Sequence, residues 1–415
     1  MNLAKTSILT FISTAIKILS GLVINKAVSI FIGPSGLAAI AQFQNALGII
    51  QTVAKGGINT GVTKYTAEYH DDHNVRSSLW STSLKLTFMC TMPLSCILVF
   101  GASYFSDFVF KTSEYNYVFV VFGFTLILFS LNQLLLSILN GLKEIRTFIS
   151  INIIQSVYSL VFTTILILFF QLDGALIAMV TNQSVIFLIV LWKLRKHQII
   201  IVENFRGKFD TNESRKLLNY SLMALVSAFT VPVSLMIVRN HIGETLSWDA
   251  AGYWQAMTYI SSMYLMVVTT ALSTYYLPRL SEIKEKCELR RELKQGYMIL
   301  VPIVVVLALI MYLLKDFIIW SLFTEDFQAM KELFKWQLIG DLFKITAWLI
   351  AYLMLAKAMT KMFIITEVLF SSSFVFLSLF AIDKLGLIGI TYVYAFNYLL
   401  YLIAMIILMK KHIFD

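Results

Sequence analysis

Charged side chains inside long apolar segments are the residues of this sequence whose types and positions could do chemistry. A charge facing lipid costs about 2.5–3.5 kcal/mol, so such residues normally face protein or a water-filled cavity. The acidic members are Asp341 and Glu367, and Asp341 lies three positions before Lys344, on the same helix face. The cationic members outnumber them: Lys17, Lys26, Lys55, Arg239 and Lys344.

A cavity lined by these cations would bind an anion. Moving an ionic group into hydrocarbon costs on the order of 20 kcal/mol in the idealised case, so an anion such as a lipid diphosphate needs a polar, basic path across the bilayer. We therefore predict that the five cations contact a diphosphate. Lys26 lies near one end of its segment and has an alternative, which is to extend its ammonium group to the membrane interface.

Amide and aromatic side chains form a second set of candidates. Amide groups can exchange hydrogen bonds with sugar hydroxyls, and aromatic rings offer apolar faces for sugar rings. Polar contacts between helices are the alternative interpretation of each such residue. The candidate glycan contacts are Gln42, Asn45, Trp254, Gln255 and Tyr259.

Motifs for catalysis and cofactors are absent from the sequence. It has no nucleotide-binding P-loop, so the chain does not drive transport by hydrolysing ATP itself. Its five histidines and three cysteines show no metal-ligand spacing, and the cysteines indicate no disulfide framework. We predict no catalytic residues, no metal and no cofactor.

The elements that position these residues are transmembrane helices. Of the 415 residues, 58% are hydrophobic and only 14% are charged, against about 25% charged in soluble domains. Apolar runs of about 20 residues, each long enough to cross a bilayer, recur from end to end. The predicted spans, about twelve, cover 8–32, 37–62, 79–105, 115–139, 148–170, 173–192, 217–240, 250–277, 297–314, 331–355, 362–381 and 386–409.

Lys and Arg concentrate in alternate connections between the spans. The positive-inside rule makes those connections cytoplasmic and, with an even number of spans, places both termini in the cytoplasm. The net charge of +9 therefore reflects topology and does not indicate nucleic-acid binding.

The chain divides into two similar halves. The domains are predicted as a six-helix lobe at 1–192, a basic cytoplasmic linker at 193–216 and a second six-helix lobe at 217–415. Gly36 and Gly252 lead into corresponding spans, and Gly174 and Gly386 repeat a similar offset near the end of each half, which together indicate a duplication. Since each half has an even number of spans, the copies are expected to be related by a pseudo-two-fold axis along the membrane normal.

Several motifs give the chain a resemblance to a known family. They are Gly33-Pro34-Ser35-Gly36-Leu37, Gly61-Val62-Thr63-Lys64-Tyr65, Tyr69-His70-Asp71, Ser247-Trp248-Asp249, Trp254-Gln255, Tyr276-Leu277-Pro278 and Trp336-Gln337-Leu338-Ile339-Gly340-Asp341 with Lys344. With them the chain resembles the polysaccharide flippases of the multidrug/oligosaccharidyl-lipid/polysaccharide exporter superfamily. The enterobacterial common antigen (lipid III) branch looks most similar.

The resemblance implies a V-shaped, alternating-access fold that moves undecaprenyl-diphosphate-linked oligosaccharides across the bacterial inner membrane. It leaves open whether the glycan is an O-antigen repeat unit, as in lipopolysaccharide biosynthesis, or enterobacterial common antigen, with the O-antigen unit favoured. It implies coupling of an antiporter type to protons or sodium, with Asp341 and Glu367 as candidates. Implied partners are inner-membrane lipids, a polysaccharide polymerase and a chain-length regulator.

Three rival functions make different predictions. A multidrug or organic-cation exporter of the same superfamily is expected to have an acidic, aromatic site, whereas the candidates here are mostly basic. A cell-wall precursor flippase usually has two further spans. A glycan polymerase or ligase is expected to have a long outer loop, which is not found here.

Overall fold

Over the residues it describes, the computed structural model contains α-helices, one 3₁₀-helix and no β-strand. It describes residues 3–69, 72–142, 144–195, 209–272, 285–357 and 359–413, together with positions 205, 207, 276, 279–280 and 283. Much of the predicted 193–216 linker, and the His70-Asp71 and Leu277-Pro278 parts of two motifs, lie outside these residues.

Fourteen α-helices are defined within the described residues. They are α1 (Leu3–Phe31), α2 (Gly33–Ala54), α3 (Asn59–Glu68), α4 (His73–Phe100), α5 (Ala102–Phe110), α6 (Asn116–Gly141), α7 (Ile145–Leu194), α8 (Thr211–Thr245), α9 (Trp248–Ala271), α10 (Lys286–Leu313), α11 (Lys315–Leu322), α12 (Phe334–Ala356), α13 (Thr360–Leu385) and α14 (Ile388–Ile413). A 3₁₀-helix, Glu325–Leu333, precedes α12.

The helices confirm an all-α polytopic membrane protein. Within the described residues, ten helices are long and apolar enough to cross a bilayer. One of them, α7, is two helices merged across a kink at Gln171, where φ is 48°. Helix α9 has 24 residues and is also long enough to span. These helices account for the predicted number of about twelve spans.

The predicted second span, 37–62, is wrong in its extent. Helix α2 ends at Ala54, and α3 begins only at Asn59. Between them Gly56 and Gly57 have φ of +62° and +64°, a backbone conformation that glycine adopts without the steric cost of a Cβ atom. The turn places Lys55 at the end of α2 and Asn59 at the start of α3.

The chain forms two compact units that are interleaved in sequence. The first contains Met1–Ile32 and Ala39–Pro232, and the second contains Gly33–Ala38 and Val233–Asp415. Helix α8 therefore contributes to both units, with the division at Pro232. The predicted domain boundary at 193–216 remains a proposal, because residues 196–204, 206 and 208 of that segment lie outside the described residues.

The end of the linker is attached to the first unit by hydrogen bonds. The hydroxyl of Ser81 and the ammonium of Lys85, both on α4, donate to the backbone carbonyl of Gly207. The amide of Asp210 donates to Thr82 Oγ1 over 3.0 Å. The segment leading into α8 is thus fixed along one face of α4.

The short segment Gly33–Ala38 is built into the second unit. The backbone amide of Ser35 donates to Asp249 Oδ1 over 3.1 Å. A Cβ atom at Gly252 would lie 2.0 Å from the carbonyl oxygen of Pro34, so the two backbones meet where only glycine fits. Further along, Ala38 is buried in an apolar cluster with residues of α8, α9, α13 and α14.

Candidate functional site

A polar cavity of about 1020 Å³ lies within the first unit. Its walls come from α1, the turn after α2, and helices α3, α6 and α7. Its lining side chains are mostly amides and hydroxyls. They include Ser13, Thr14, Lys17, Ser20, Lys55, Asn59, Thr63, Gln133, Ser137, Asn140, Asn152, Gln155, Ser156, Ser159, Asn182 and Gln183.

The charges of this cavity are all positive. Lys17 and Lys55 line it, and no carboxylate is among the described lining residues. Lys17, on α1, is exposed, whereas Lys55 is half-buried, with its Nζ 5.6 Å from the ring centroid of Phe129. The two lysines that the sequence places in separate helices therefore share one cavity, which favours an anionic ligand.

A chain of hydrogen bonds holds the amides on one wall in place. Asn59 Nδ2 donates to the backbone carbonyl of Gln133 over 3.2 Å and to Ser137 Oγ over 3.0 Å. Gln133 Nε2 donates to Gln183 Oε1 over 2.6 Å. These contacts join α3, α6 and the second part of α7 into one wall.

The two parts of α7 contribute further polar groups. Asn182 Nδ2 lies 3.0 Å from both Ser159 Oγ and Thr163 Oγ1, across the kink at Gln171. Asn152 and Gln155, three positions apart, face the same cavity. None of the cavity amides was among the predicted glycan contacts, although clusters of Asn and Gln inside apolar spans were a visible signal.

In the second unit, Asp341 lies in a cage of hydroxyl groups. It is fully buried, and its two oxygens accept hydrogen bonds from Ser261 (2.6 and 2.7 Å), Tyr264 (2.7 Å) and Tyr394 (2.8 Å). These donors come from α9 and α14, so the carboxylate of α12 joins three helices.

Lys344, one turn after Asp341, is surrounded by aromatic rings. Its Nζ lies 4.9 Å from the ring centroid of Trp348, 5.5 Å from that of Tyr398 and 5.9 Å from that of Tyr394. Such contacts stabilise a cation through the negative face of each ring. Glu367, on α13, is half-buried and lies within electrostatic reach of Tyr398.

Arg239, near the end of α8, contacts two of the residues predicted to bind glycan. It is 2% exposed, and its Nη2 donates to Gln255 Oε1 over 2.7 Å. Its guanidinium also lies 5.5 Å from the ring centroid of Trp254. The structure thus brings Arg239, Trp254 and Gln255 together, in the second unit.

The remaining predicted residues do not line the first-unit cavity. Lys26 is half-buried on α1, and Gln42 is fully buried on α2. Asn45 has a buried Nδ2 without a hydrogen-bond partner among the described residues. Tyr259 is half-buried on α9. The roles predicted for these four residues remain proposals.

A family described as "Polysaccharide biosynthesis protein" matches residues 3–284, more than half of the chain. The chain belongs to the polysaccharide biosynthesis protein family. Similar members are the lipid III flippases of Escherichia coli (strain K12) and Shigella flexneri. Each is 30% identical over 404 residues, which cover 97% of this chain and 96% of the relative.

Solved structures of MOP-superfamily transporters share the fold of this family member. An inward-facing multidrug resistance MATE transporter has a TM-score of 0.74 at 14% identity, covering 96% of this chain and 94% of the other. A MOP-superfamily transporter from Pyrococcus furiosus has a TM-score of 0.72 at 14% identity, covering 99% and 95%. The relatives are thus named as flippases, and the solved structures that share the fold are transporters.

Proposed function

We propose that this member of the polysaccharide biosynthesis protein family flips lipid-linked oligosaccharides, carried on undecaprenyl diphosphate, from the cytoplasmic to the periplasmic leaflet. The observation that carries the proposal is the first-unit cavity, where Lys17 and Lys55 stand among amides and hydroxyls and the described lining has no carboxylate. Such a lining suits a ligand that combines negative charge with many hydroxyl groups.

The physical problem of flipping explains the need for that lining. A diphosphate and its sugars cannot enter hydrocarbon, whereas the polyprenyl chain is stable there. A protein that offers a polar path for the head group, while the tail stays in lipid, removes the main barrier. Lys17, Lys26, Lys55, Arg239 and Lys344 are the proposed contacts of the diphosphate.

The relatives support the substrate class. Two family members of nearly the same length are named lipid III flippases. The glycan of this chain is proposed to be either enterobacterial common antigen or an O-antigen repeat unit. The proposed location is the inner membrane with both termini cytoplasmic, next to a polysaccharide polymerase and its chain-length regulator.

The driving force is proposed to combine the membrane potential with a coupling cation. An inside-negative potential favours export of an anion by about 2.3 kcal/mol per charge per 100 mV, hence roughly 4–5 kcal/mol for a doubly charged diphosphate. A proton or sodium ion returns the empty carrier, with Glu367 and Asp341 as its proposed sites. Glu367 is the more accessible of the two, since Asp341 is fully buried.

The test is mass spectrometry of polyprenyl-linked glycans from a deletion strain, its parent and complemented strains. Accumulation of one undecaprenyl-diphosphate oligosaccharide, reversed by the restored gene, is the expected result. In a deletion strain that carries the Lys17→Ala variant, the oligosaccharide should still accumulate although the variant is present in the membrane at the normal level. The Lys335→Ala variant, which changes an exposed lysine of the second unit, should remove the accumulation as the wild-type gene does. An unchanged lipid-linked pool in a strain without a second flippase would refute the proposal.

A multidrug exporter is the alternative within the superfamily, and the solved MATE structures support it at the level of fold. A site for organic cations requires negative or aromatic groups to bind them. The described lining of the first-unit cavity has two lysines and no carboxylate. Resistance to cationic drugs is therefore expected to be the same in the deletion strain and its parent.

A further inference from the structure

We propose that the exposed surface at the start of α10 binds the head group of an anionic phospholipid of the surrounding membrane. Four exposed basic residues form this surface, which we call the α10 basic face: Lys286, Arg290, Arg291 and Lys294. None of them lines the first-unit cavity. The proposed ligand is a resident membrane lipid and not the transported one, so the inference goes beyond the proposed flippase function and does not depend on it.

The position of the α10 basic face along its helix is the first argument. Helix α10 begins at Lys286 and ends at Leu313, and its last 18 residues, 296–313, contain no charged side chain. At 1.5 Å per residue these 18 residues cover about 27 Å, close to the ~30 Å of hydrocarbon in a bilayer. The basic face therefore lies directly at the end of the hydrocarbon region, at the level of the lipid head groups.

The side of the helix on which the charges lie is the second argument. Arg291 and Lys294 are three residues apart on one side of α10. At helical spacing the same side continues through Met298, Val305 and Leu309, which are all exposed. Because large apolar side chains exposed along a span contact lipid, a phospholipid on this side would place its acyl chains over the apolar residues and its phosphate beside the two cations.

Nearby carboxylates do not neutralise these two cations. Glu288 lies three positions before Arg291, a spacing at which oppositely charged side chains pair on a helix. Glu288 Oε1 instead accepts a hydrogen bond of 2.7 Å from Arg279 Nη2, and Glu292 Oε2 lies 3.5 Å from Arg279 Nε. Within the described part of the chain, Arg291 and Lys294 form no ion pair.

The charge of the face selects among phospholipids. Guanidinium and ammonium groups donate charge-assisted hydrogen bonds to phosphate oxygens. About four to eight Lys or Arg residues next to a span are typical of anionic-lipid recognition, and each contributes about fivefold to binding. A zwitterionic lipid adds a cationic group beside its phosphate, and the basic face repels that group. We therefore expect a preference for lipids with a net negative charge.

The test is native mass spectrometry of the full-length protein in detergent, which counts the lipid molecules bound as phospholipid is added. The probes are palmitoyl-oleoyl phosphatidylglycerol, which is anionic, and phosphatidylcholine with the same acyl chains. The first phosphatidylglycerol should bind at least about 25-fold more tightly than phosphatidylcholine, at fivefold for each of two basic residues. Arg291→Gln combined with Lys294→Gln should abolish this preference and leave phosphatidylcholine binding unchanged.

The matched control changes two exposed lysines elsewhere in the second unit. Lys335→Gln combined with Lys384→Gln removes the same number of charges, at the start of α12 and in the last turn of α13. Because neither residue belongs to the α10 basic face, this variant should prefer phosphatidylglycerol as strongly as the wild type does.

Arg279 is expected to act as a positioning residue, because it holds Glu288 away from Arg291. Arg279→Gln should therefore weaken binding of phosphatidylglycerol about fivefold, since Glu288 can then neutralise one cation. Adding Glu288→Gln and Glu292→Gln should restore the wild-type preference. If this restoration fails, the role given to Arg279 is wrong.

Two measurements on the wild-type protein can overturn the inference without any variant. Equal affinities for the two phospholipids would refute it. Farnesyl diphosphate has the diphosphate of the proposed substrate on a short prenyl chain, and an equimolar amount should not displace phosphatidylglycerol. Displacement would assign the basic face to the transported lipid and would also refute the inference. The flippase function is judged by the lipid-linked pool of the deletion strain, so the two proposals can fail independently.

Discussion

The hydroxyl cage around Asp341 predicts that this carboxylate stabilises the second unit. The Asp341→Leu variant is the informative change, because leucine has the same branched shape and no acceptor. Ser261, Tyr264 and Tyr394 would then each lose their acceptor inside the protein. Asp341→Asn keeps one oxygen and should have a smaller effect, since the hydroxyl facing the new amino group can turn and accept.

The magnitude follows from the number of donors. At about 1 kcal/mol for each lost hydrogen bond, three hydroxyls give about 3 kcal/mol. Hydrogen bonds between membrane helices average about 0.6 kcal/mol, which lowers the sum to about 2 kcal/mol. For a unit of this size, 2–3 kcal/mol corresponds to a decrease of roughly 4–12 °C in melting temperature.

The assay is thermal unfolding in detergent, followed by fluorescence-detected size exclusion. Tyr264→Phe and Tyr394→Phe, which remove one donor each, should shift the transition less than Asp341→Leu. The control is Glu332→Leu, which changes an exposed glutamate of the same unit and should leave the unfolding temperature unchanged. If Asp341→Leu unfolds at the wild-type temperature, the reasoning from the cage is refuted. If Asp341→Asn is stable but inactive, the carboxylate serves ion coupling instead.

Three further predictions concern other contacts. Gly252→Val should prevent folding of the second unit or lower its stability by about 3 kcal/mol or more, because its Cβ atom would meet the backbone of Pro34; a normal yield of monodisperse protein would contradict this. Arg239→Lys retains the charge but loses the planar contact of the guanidinium, and should lower stability by about 2 kcal/mol in the same unfolding assay. The hydrogen bond to Glu213 raises the pKa of Lys216, so this pair stabilises the first unit below about pH 10 and loses its effect at higher pH. The difference in melting temperature between wild type and Lys216→Met should therefore be present at pH 8 and shrink above pH 10, and a difference that does not depend on pH would contradict the assignment.

Most of the helices could be predicted from apolar length, because the bilayer imposes a minimum on each span. The predicted span 115–139 is close to α6, Asn116–Gly141. The errors occur where the backbone turns inside an apolar run. Gly56 and Gly57 end α2 within the predicted span 37–62, and this double glycine was a readable turn signal. The kink at Gln171 agrees with the sequence, which separates the predicted spans 148–170 and 173–192 there, next to the turn residues Asp173 and Gly174.

The sequence indicates which charged residues are candidates for the site, but it does not indicate which residues contact them. A charge inside an apolar span is visible in the sequence, so Lys17, Lys55 and Asp341 could be named as candidates from the sequence alone. The neighbours of each depend on which helices pack together, and spacing along one helix does not contain that information. This is why Tyr394 was not assigned to Asp341, and why Asn59 and Gln133 were not assigned to the cavity.

The interleaving of the two units has a consequence for how the protein is made. Gly33–Ala38 leaves the ribosome early, yet the rest of its unit begins only at Val233. The first unit, in turn, is completed only when the segment after Gly207 has been synthesised and has reached α4. Neither half of the gene therefore encodes a complete lobe. Separate expression of 1–192 and 217–415 would give two fragments that each lack part of their own fold.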